Sequence, residues 1–258
     1  LMYHYFRDHG YACASVNYRL AQEAAFPAGV EDVKSAIRFL RANAEKYGYD
    51  PERFAIWGES AGGYLSVICG ASNDEEFNSV PFIGEDENNP VSSEVQVILN
   101  YYGCMEFGTQ AADYKELKIP KVVQWASGLW LTGAIKDTGY NDVESYWMRK
   151  DVNTLTQEEK DTYSPLYYIQ KNLTPENSPS VLIWHGDADL SVPYLQSERL
   201  NELLTEQIGA DKVEYKLFHN YKHAADQLYS DENLGIGAEQ VGAALLAQQD
   251  AELGLHLT

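Results

Sequence analysis

The sequence predicts an α/β fold built on a mostly parallel sheet with helices on both faces. Three observations predict it. Strand-like and helix-like segments alternate along most of the chain. Most of the strand-like segments are short continuous apolar runs, the pattern of strands buried on both faces. The segments between them carry apolar residues at helical spacing.

The elements follow in order. "LMYHYFRDHG" reads as the end of a helix stopped by Gly10. "YACASVNYR" (11–19) is β-branched and aromatic and reads as a strand. From Pro27 to Gly48, Val30, Val33, Ile37 and Leu40 mark one face of a helix, with Pro in its first turn and Gly at its end. "RFAIWG" (53–58) is a buried strand, and "SAGGYLSVICGAS" then turns helical. "EVQVILNYYG" (94–103) and "SVLIWHG" (180–186) are further strands. "VPYLQSERLNELLTEQIG" (192–209) is an amphipathic helix closed by Gly209. "KVEYKLF" (212–218) alternates as a strand, and an Ala-rich helix over 237–253 ends the series.

Residues 104–164 break the pattern and divide the chain. Residues 1–103 and 165–258 read as the two parts of a core, and 104–164 as a lid or cap inserted between them. The insertion has no clean strand and holds Trp125, Trp130 and Trp147 with Tyr114, Tyr140, Tyr146 and Tyr163. A segment this long is a lid or binding element, or a small helical subdomain whose aromatics form its own core.

Composition limits the function. The 258 residues are 45% hydrophobic and 22% charged, ordinary for a globular chain. Asp and Glu outnumber Lys and Arg by 39 to 19, a net charge of −20 that repels phosphate backbones and anionic lipid surfaces. No apolar run reaches the length of a transmembrane helix. Nucleic acid and membrane partners are therefore not expected. The three cysteines, Cys13, Cys69 and Cys104, fit neither a disulfide framework nor a zinc pattern and read as buried free thiols. The chain begins at Leu1, not Met, and its composition assigns no compartment.

The chemistry centres on Gly58-Glu59-Ser60-Ala61-Gly62, a G-x-S-x-G pattern. Alone the pattern is cheap, arising by chance in roughly one chain in ten of this length. Here it lies between a buried strand and a helix, the setting of a nucleophile elbow. The turn strains the backbone of Ser60, and side chains at Gly58 and Gly62 are expected to collide with the neighbouring strand and helix. Ser60 then sits at a helix N-terminus, where the Ala61 amide points at developing negative charge.

A serine hydroxyl needs a base, and the base an orienting carboxylate. Nucleophile-elbow folds run serine, acid, histidine in chain order. His4, His9 and His185 fall too early, and His256 lies in the C-terminal tail. His219 and His223 remain, and His223 has the freer loop to reach over the sheet. His219 reads as a surface or supporting residue. Asp187 and Asp189 both follow the strand 180–186. Asp189 is favoured for its reach, and Asp187 reads as a turn-former. Glu59 is expected to point away from Ser60 as a paired, half-buried carboxylate. Together with Trp125 and Trp130 it is also a candidate for substrate contact.

These residues resemble the α/β-hydrolase superfamily, esterase/lipase group, and within it small bacterial carboxylesterases of the acetyl-esterase and feruloyl-esterase-like kind. The matching pieces are Tyr18-Arg19-Leu20, Phe26-Pro27, Glu31-Asp32, Asp50-Pro51, the Gly58–Gly63 stretch, His185-Gly186 with Asp189 and Val192-Pro193, and His223. They run from residue 10 to about 235, with 104–164 weakly matched. The resemblance implies Ser60 as nucleophile, Asp189 as acid and His223 as base, with no metal and no cofactor. Relatives also carry a His-Gly-Gly motif after an early strand, whose amides complete the oxyanion hole. That motif is not in this sequence, and the resemblance implies that the fold's first strands are absent from it too.

The resulting expectation is a serine hydrolase of carboxylic esters, of short-chain acyl or hydroxycinnamoyl type. The Ala61 amide serves as oxyanion donor, a small-molecule ester is the partner, and homo-oligomers are allowed. A peptidase of the same fold and a non-catalytic binding protein on a hydrolase scaffold are the alternatives.

Overall fold

The computed structural model describes residues 2–123 and 142–252. Helix α1 (Met2–Asp8) is followed by an extended segment, then α2 (Ala28–Ala42) and the short α3 (Ala44–Tyr47). Strand β1 (Ala55–Glu59) leads into α4 (Ala61–Ala71), and β2 (Val97–Tyr101) follows. The described part of the insertion holds α5 (Gln110–Glu116), α6 (Val143–Met148) and α7 (Gln157–Asp161). Then come α8 (Pro165–Asn172), β3 (Ser180–Gly186), α9 (Leu195–Ile208), β4 (Val213–Phe218) and α10 (Asp231–Glu252).

The four strands form one parallel sheet in the order β1-β2-β3-β4. Strand alternation splits its side chains between two cores. Ile98, Val181 and Ile183 face α4 and α9, where they meet Val67, Ile68, Leu200 and Leu204. Val97, Leu99, Leu182 and Trp184 face the other way, against Leu234, Val241 and Leu245 of α10. Burial on both faces explains why these strands read as unbroken apolar runs. Each fully buried leucine contributes roughly 1.5–3 kcal/mol relative to exposure.

Local rules account for the helices. In α2, Val30, Val33 and Ile37 are buried at spacings of three and four. Gly48 ends α3 in a left-handed conformation at φ 76°. Helix α4 is buried nearly all round, from Gly63 to Cys69. It lies so close to β2 that a Cβ on Gly70 would fall 2.4 Å from the Ile98 side chain.

The structure corrects two expectations here. The segment 11–19 is not a strand: among the described residues it joins no ladder. Strand propensity is realised only by pairing, and this segment is held by side chains instead. The Tyr11 hydroxyl donates to Ala238 O (3.0 Å), and Arg19 N and Nε donate to the Asp32 carboxylate (2.7–3.0 Å). Cys13, within it, is exposed, whereas Cys69 and Cys104 are buried as expected. Burial pushes the Cys69 thiol up to about 12.

The described residues of 104–164 contain no strand. Their aromatics pack onto the core: Trp147 lies against Tyr64 (ring centroids 4.9 Å) and Tyr163 against Phe26 (4.8 Å). No helix among the described residues is long and apolar enough to cross a membrane.

Candidate active site

The turn from β1 to α4 places Ser60 at φ 51° and ψ −112°. A left-handed φ at a non-glycine residue costs on the order of 1–3 kcal/mol and persists only where its surroundings impose it. Two backbone bonds do so here. Ser60 N donates to Tyr101 O (2.9 Å), and Ser60 O accepts from Tyr64 N (3.0 Å). Gly58 makes the turn sterically feasible, since a Cβ there would sit 2.0 Å from Gly62 O. Gly62 itself departs from expectation: a Cβ on it would meet nothing within 4 Å. The crowding in the elbow is between a side chain at 58 and the backbone at 62. Ala61 opens α4, so its N–H has no acceptor within the helix and is free to meet an anion.

The loops after β3 and β4 are joined along their backbones. Asp187 N donates to Phe218 O, and Ala188 N to Tyr221 O, both at 3.0 Å. Gly186 permits the approach, because a Cβ there would lie 2.1 Å from Tyr221 O. The junction brings Asp189 under His223. Asp189 Oδ1 accepts from Ser191 N (2.8 Å) and Val192 N (2.9 Å), so this carboxylate also forms its own turn. Asp189 Oδ2 accepts from His223 Nδ1 at 2.7 Å. That bond puts the proton on Nδ1 and turns the Nε2 lone pair to the Ser60 hydroxyl, 3.1 Å away.

A second histidine lies behind the first. His185 is fully buried, and its Nε2 donates to Val192 O (2.9 Å) with Asp189 Oδ2 at 3.3 Å. Its Nδ1 accepts from the Ser197 hydroxyl at 2.7 Å. Burial alone would raise the Asp189 carboxyl. The hydrogen bonds of His185 and His223 outweigh it and hold that carboxyl well below the usual range.

The structure thus brings Ser60, Asp189 and His223 together, with Ala61 beside the serine. Glu59 is turned to two tyrosines: its Oε2 accepts from Tyr102 (2.8 Å) and Tyr229 (2.6 Å). That matches a paired carboxylate rather than a free substrate contact. Trp125 and Trp130 lie outside the described residues. Asp187 is not a local turn-former. It accepts from Asn220 N (2.6 Å) and from His219 Nδ1 (2.8 Å), bridging the two loops. Sequence reasoning missed His185, set aside on chain order, and it missed Tyr102 and Tyr229. The first residue beyond a buried strand end, as Tyr102 is, was the available signal.

The insertion is tied to this region. The Tyr114 hydroxyl donates to Ser191 O (2.6 Å) on the acid loop. Gln196 in α9 accepts from Met105 N and Glu106 N (both 2.9 Å) and donates to Asp113 (2.6 Å). Arg199 grips the same carboxylate with two bonds of 2.9 and 2.6 Å.

Known proteins resemble the chain along most of its length. It is 27% identical over 217 residues to "Esterase LipQ" of Mycobacterium tuberculosis, covering 84% of this chain and 43% of that protein. The chain spans about half the length of the curated relatives it matches. Among solved structures, "Truncated form of carbohydrate esterase from gut microbiota" superposes with a TM-score of 0.67 at 24% identity, over 90% of this chain and 73% of that one. A bifunctional GH43-CE protein of Bacteroides eggerthii superposes at 0.68 and 22% identity, over 93% of this chain and 28% of that one. At these identities the likeness shows the fold, that of the α/β-hydrolases. The family assignment comes from a sequence model that spans residues 2–204, Ser60 and Asp189 included, and the chain belongs to the BD-FAE family.

Proposed function

We propose that this chain is a carboxylic ester hydrolase that works through an acyl-enzyme on Ser60. One observation carries the reading: an unbroken hydrogen-bond line from Asp189 to His223 (2.7 Å) to Ser60 (3.1 Å), ending at a strained elbow. The esterase names of its relatives support the same class.

The steps follow from the geometry. Ser60 Oγ attacks the ester carbonyl carbon while its proton moves to His223 Nε2. The Ala61 N–H stabilises the oxyanion of the tetrahedral intermediate. Asp189 keeps the imidazole in the required tautomer and stabilises the imidazolium. His223 then returns the proton to the departing alkoxy oxygen, and the alcohol leaves. A water molecule gives its proton to His223 as it attacks the acyl carbon, and His223 passes that proton to Ser60 Oγ as the C–Oγ bond breaks and the acid leaves. For the ester we propose short-chain acyl or hydroxycinnamoyl groups on carbohydrate; the carbohydrate-esterase title of one structural neighbour supports the carbohydrate part.

The test uses p-nitrophenyl acetate, a methyl hydroxycinnamate and a fluorophosphonate probe. Turnover and labelling by the chain, both abolished in Ser60→Ala, are the expected result. A folded chain that neither labels nor turns over any of these esters would sink the proposal. Peptide cleavage without ester cleavage would point to a peptidase instead.

A further inference from the structure

Glu59 precedes the serine, yet nothing in the hydrolytic steps uses it. Its surroundings are unusual. One carboxylate oxygen accepts from two phenols that come from distant parts of the chain. Tyr102 is the first residue past β2, held at φ 44° with its N–H donated to Trp184 O (2.9 Å). Tyr229 ends the turn of 3-10 helix at Asp226–Tyr229, six residues beyond His223. The two hydroxyls also contact each other. Burial first, and then the bonding and charge of Glu59, push both phenols up, while the contact between them raises Tyr102 and lowers Tyr229; both remain protonated donors.

Each tyrosine also bears on His223. The Tyr102 ring meets the imidazole edge to face, with centroids 4.7 Å apart and planes at 63°. Tyr229 anchors the far end of the segment that carries His223. Asp189 braces the ring at Nδ1, while Tyr102 limits its tilt from the side. Glu59 accepts from both Tyr102 and Tyr229, and it sits on the strand that presents Ser60. Its carboxylate reaches the imidazole through Tyr102, whose hydroxyl it holds and whose ring packs on His223.

We propose that Glu59, acting through Tyr102 and Tyr229, is a positioning residue for His223, fixing the imidazole against Ser60 and favouring its charged form. This rests on the reading of His223 as the base. Among the described residues, Asp189 below the imidazole and Tyr102 beside it are the titratable groups in contact with it, and His185 lies against both of them. Those facing the Glu59 cluster are Tyr101, from β2, and Asp226, from the turn that carries Tyr229.

The test compares the wild type with Glu59→Gln, Tyr229→Phe and Tyr102→Phe, each checked for folding by circular dichroism. The His223 ring is titrated by NMR and assigned by loss of its signal in His223→Asn. In Glu59→Gln the His223 midpoint falls by about half a unit to one unit. In parallel, kcat on p-nitrophenyl acetate falls about ten- to hundred-fold with KM within about twofold. The acidic limb of the kcat/KM profile moves to lower pH with the NMR midpoint. Tyr229→Phe and Tyr102→Phe show the same pattern, more weakly, and decide the matter if Glu59→Gln does not fold. An unmoved His223 midpoint in all folded variants overturns the proposal. So does a rise in KM with kcat unchanged, which would make Glu59 a substrate contact. A wild type without turnover would refute the esterase reading alone, since the NMR midpoint reads positioning without it.

Discussion

Two histidine–aspartate pairs bridge the same two loops, and only one of them leads anywhere. Asp189 and His223 have side chains 0% and 17% exposed, and the outer ring nitrogen meets Ser60. Asp187 and His219 are bonded just as closely, at 2.8 Å, but are 28% and 83% exposed. Pairing therefore does not make a proton relay. The inner pair has three things that the outer one lacks: a buried carboxylate, a second histidine behind it and a hydroxyl in front of it. In water an exposed pair is worth about 0–1 kcal/mol, whereas a buried carboxylate holds its partner in one tautomer and one orientation.

The contrast is broken most directly at its centre. Asp189→Asn is expected to lower kcat about 10⁴-fold on p-nitrophenyl acetate, because the amide can donate to His223 and so reverse its tautomer. A loss under tenfold would mean that the inner pair is no more special than the outer. His185→Phe removes the partner of Val192 O and Ser197 and one support of Asp189. It is expected to cost about 1–3 kcal/mol in urea unfolding and to reduce turnover about tenfold.

Glu144 sharpens the comparison from the other side. It too is buried, but it accepts from the backbone amides of Gly108 and Gln110, with Asp142 and Asp113 close by. Burial, reinforced by these acids, raises it to about 7. A raised carboxyl favours the protonated fold. The stability it contributes is present below about 4.5 and is lost as pH rises through about 7. Urea unfolding between pH 5 and 8 is expected to show a loss on the order of 1–3 kcal/mol that Glu144→Gln flattens. Asp189 has the opposite sign, since its depressed carboxyl stabilises the fold at neutral pH and yields only in strong acid. The smallest effect is reserved for the outer pair: His219→Ala should change turnover less than about twofold and stability by under about 1 kcal/mol.

Much of this was legible in the sequence, for physical reasons. The four strands announced themselves as apolar runs because both of their faces are buried. The serine, aspartate and histidine could be picked out because each follows a strand end, and strand ends converge in a parallel sheet. The segment 11–19 carried the same local signal and failed, because pairing is not a local property. Asp187 was misread for a related reason: its partner, His219, lies 32 residues away. Tyr229 gave no local pattern, Tyr102 only its place just past a strand end, and His185 only its place in a matching stretch. Their significance lies in contacts with Glu59, His223 and Asp189 that exist only once the sheet is assembled.

The order of the sheet carries a consequence in time. Its strands lie side by side in the sequence in which a ribosome delivers them. Ser60 emerges 163 residues before His223, so a growing chain holds the elbow over that whole span without the imidazole that bonds to it. Each strand pairs with the one that precedes it in the chain, and α10, which covers one face of the sheet, follows His223. On the proposed reading, the Ser60 hydroxyl of a nascent chain has no base beside it until β4 and the loop after it are made.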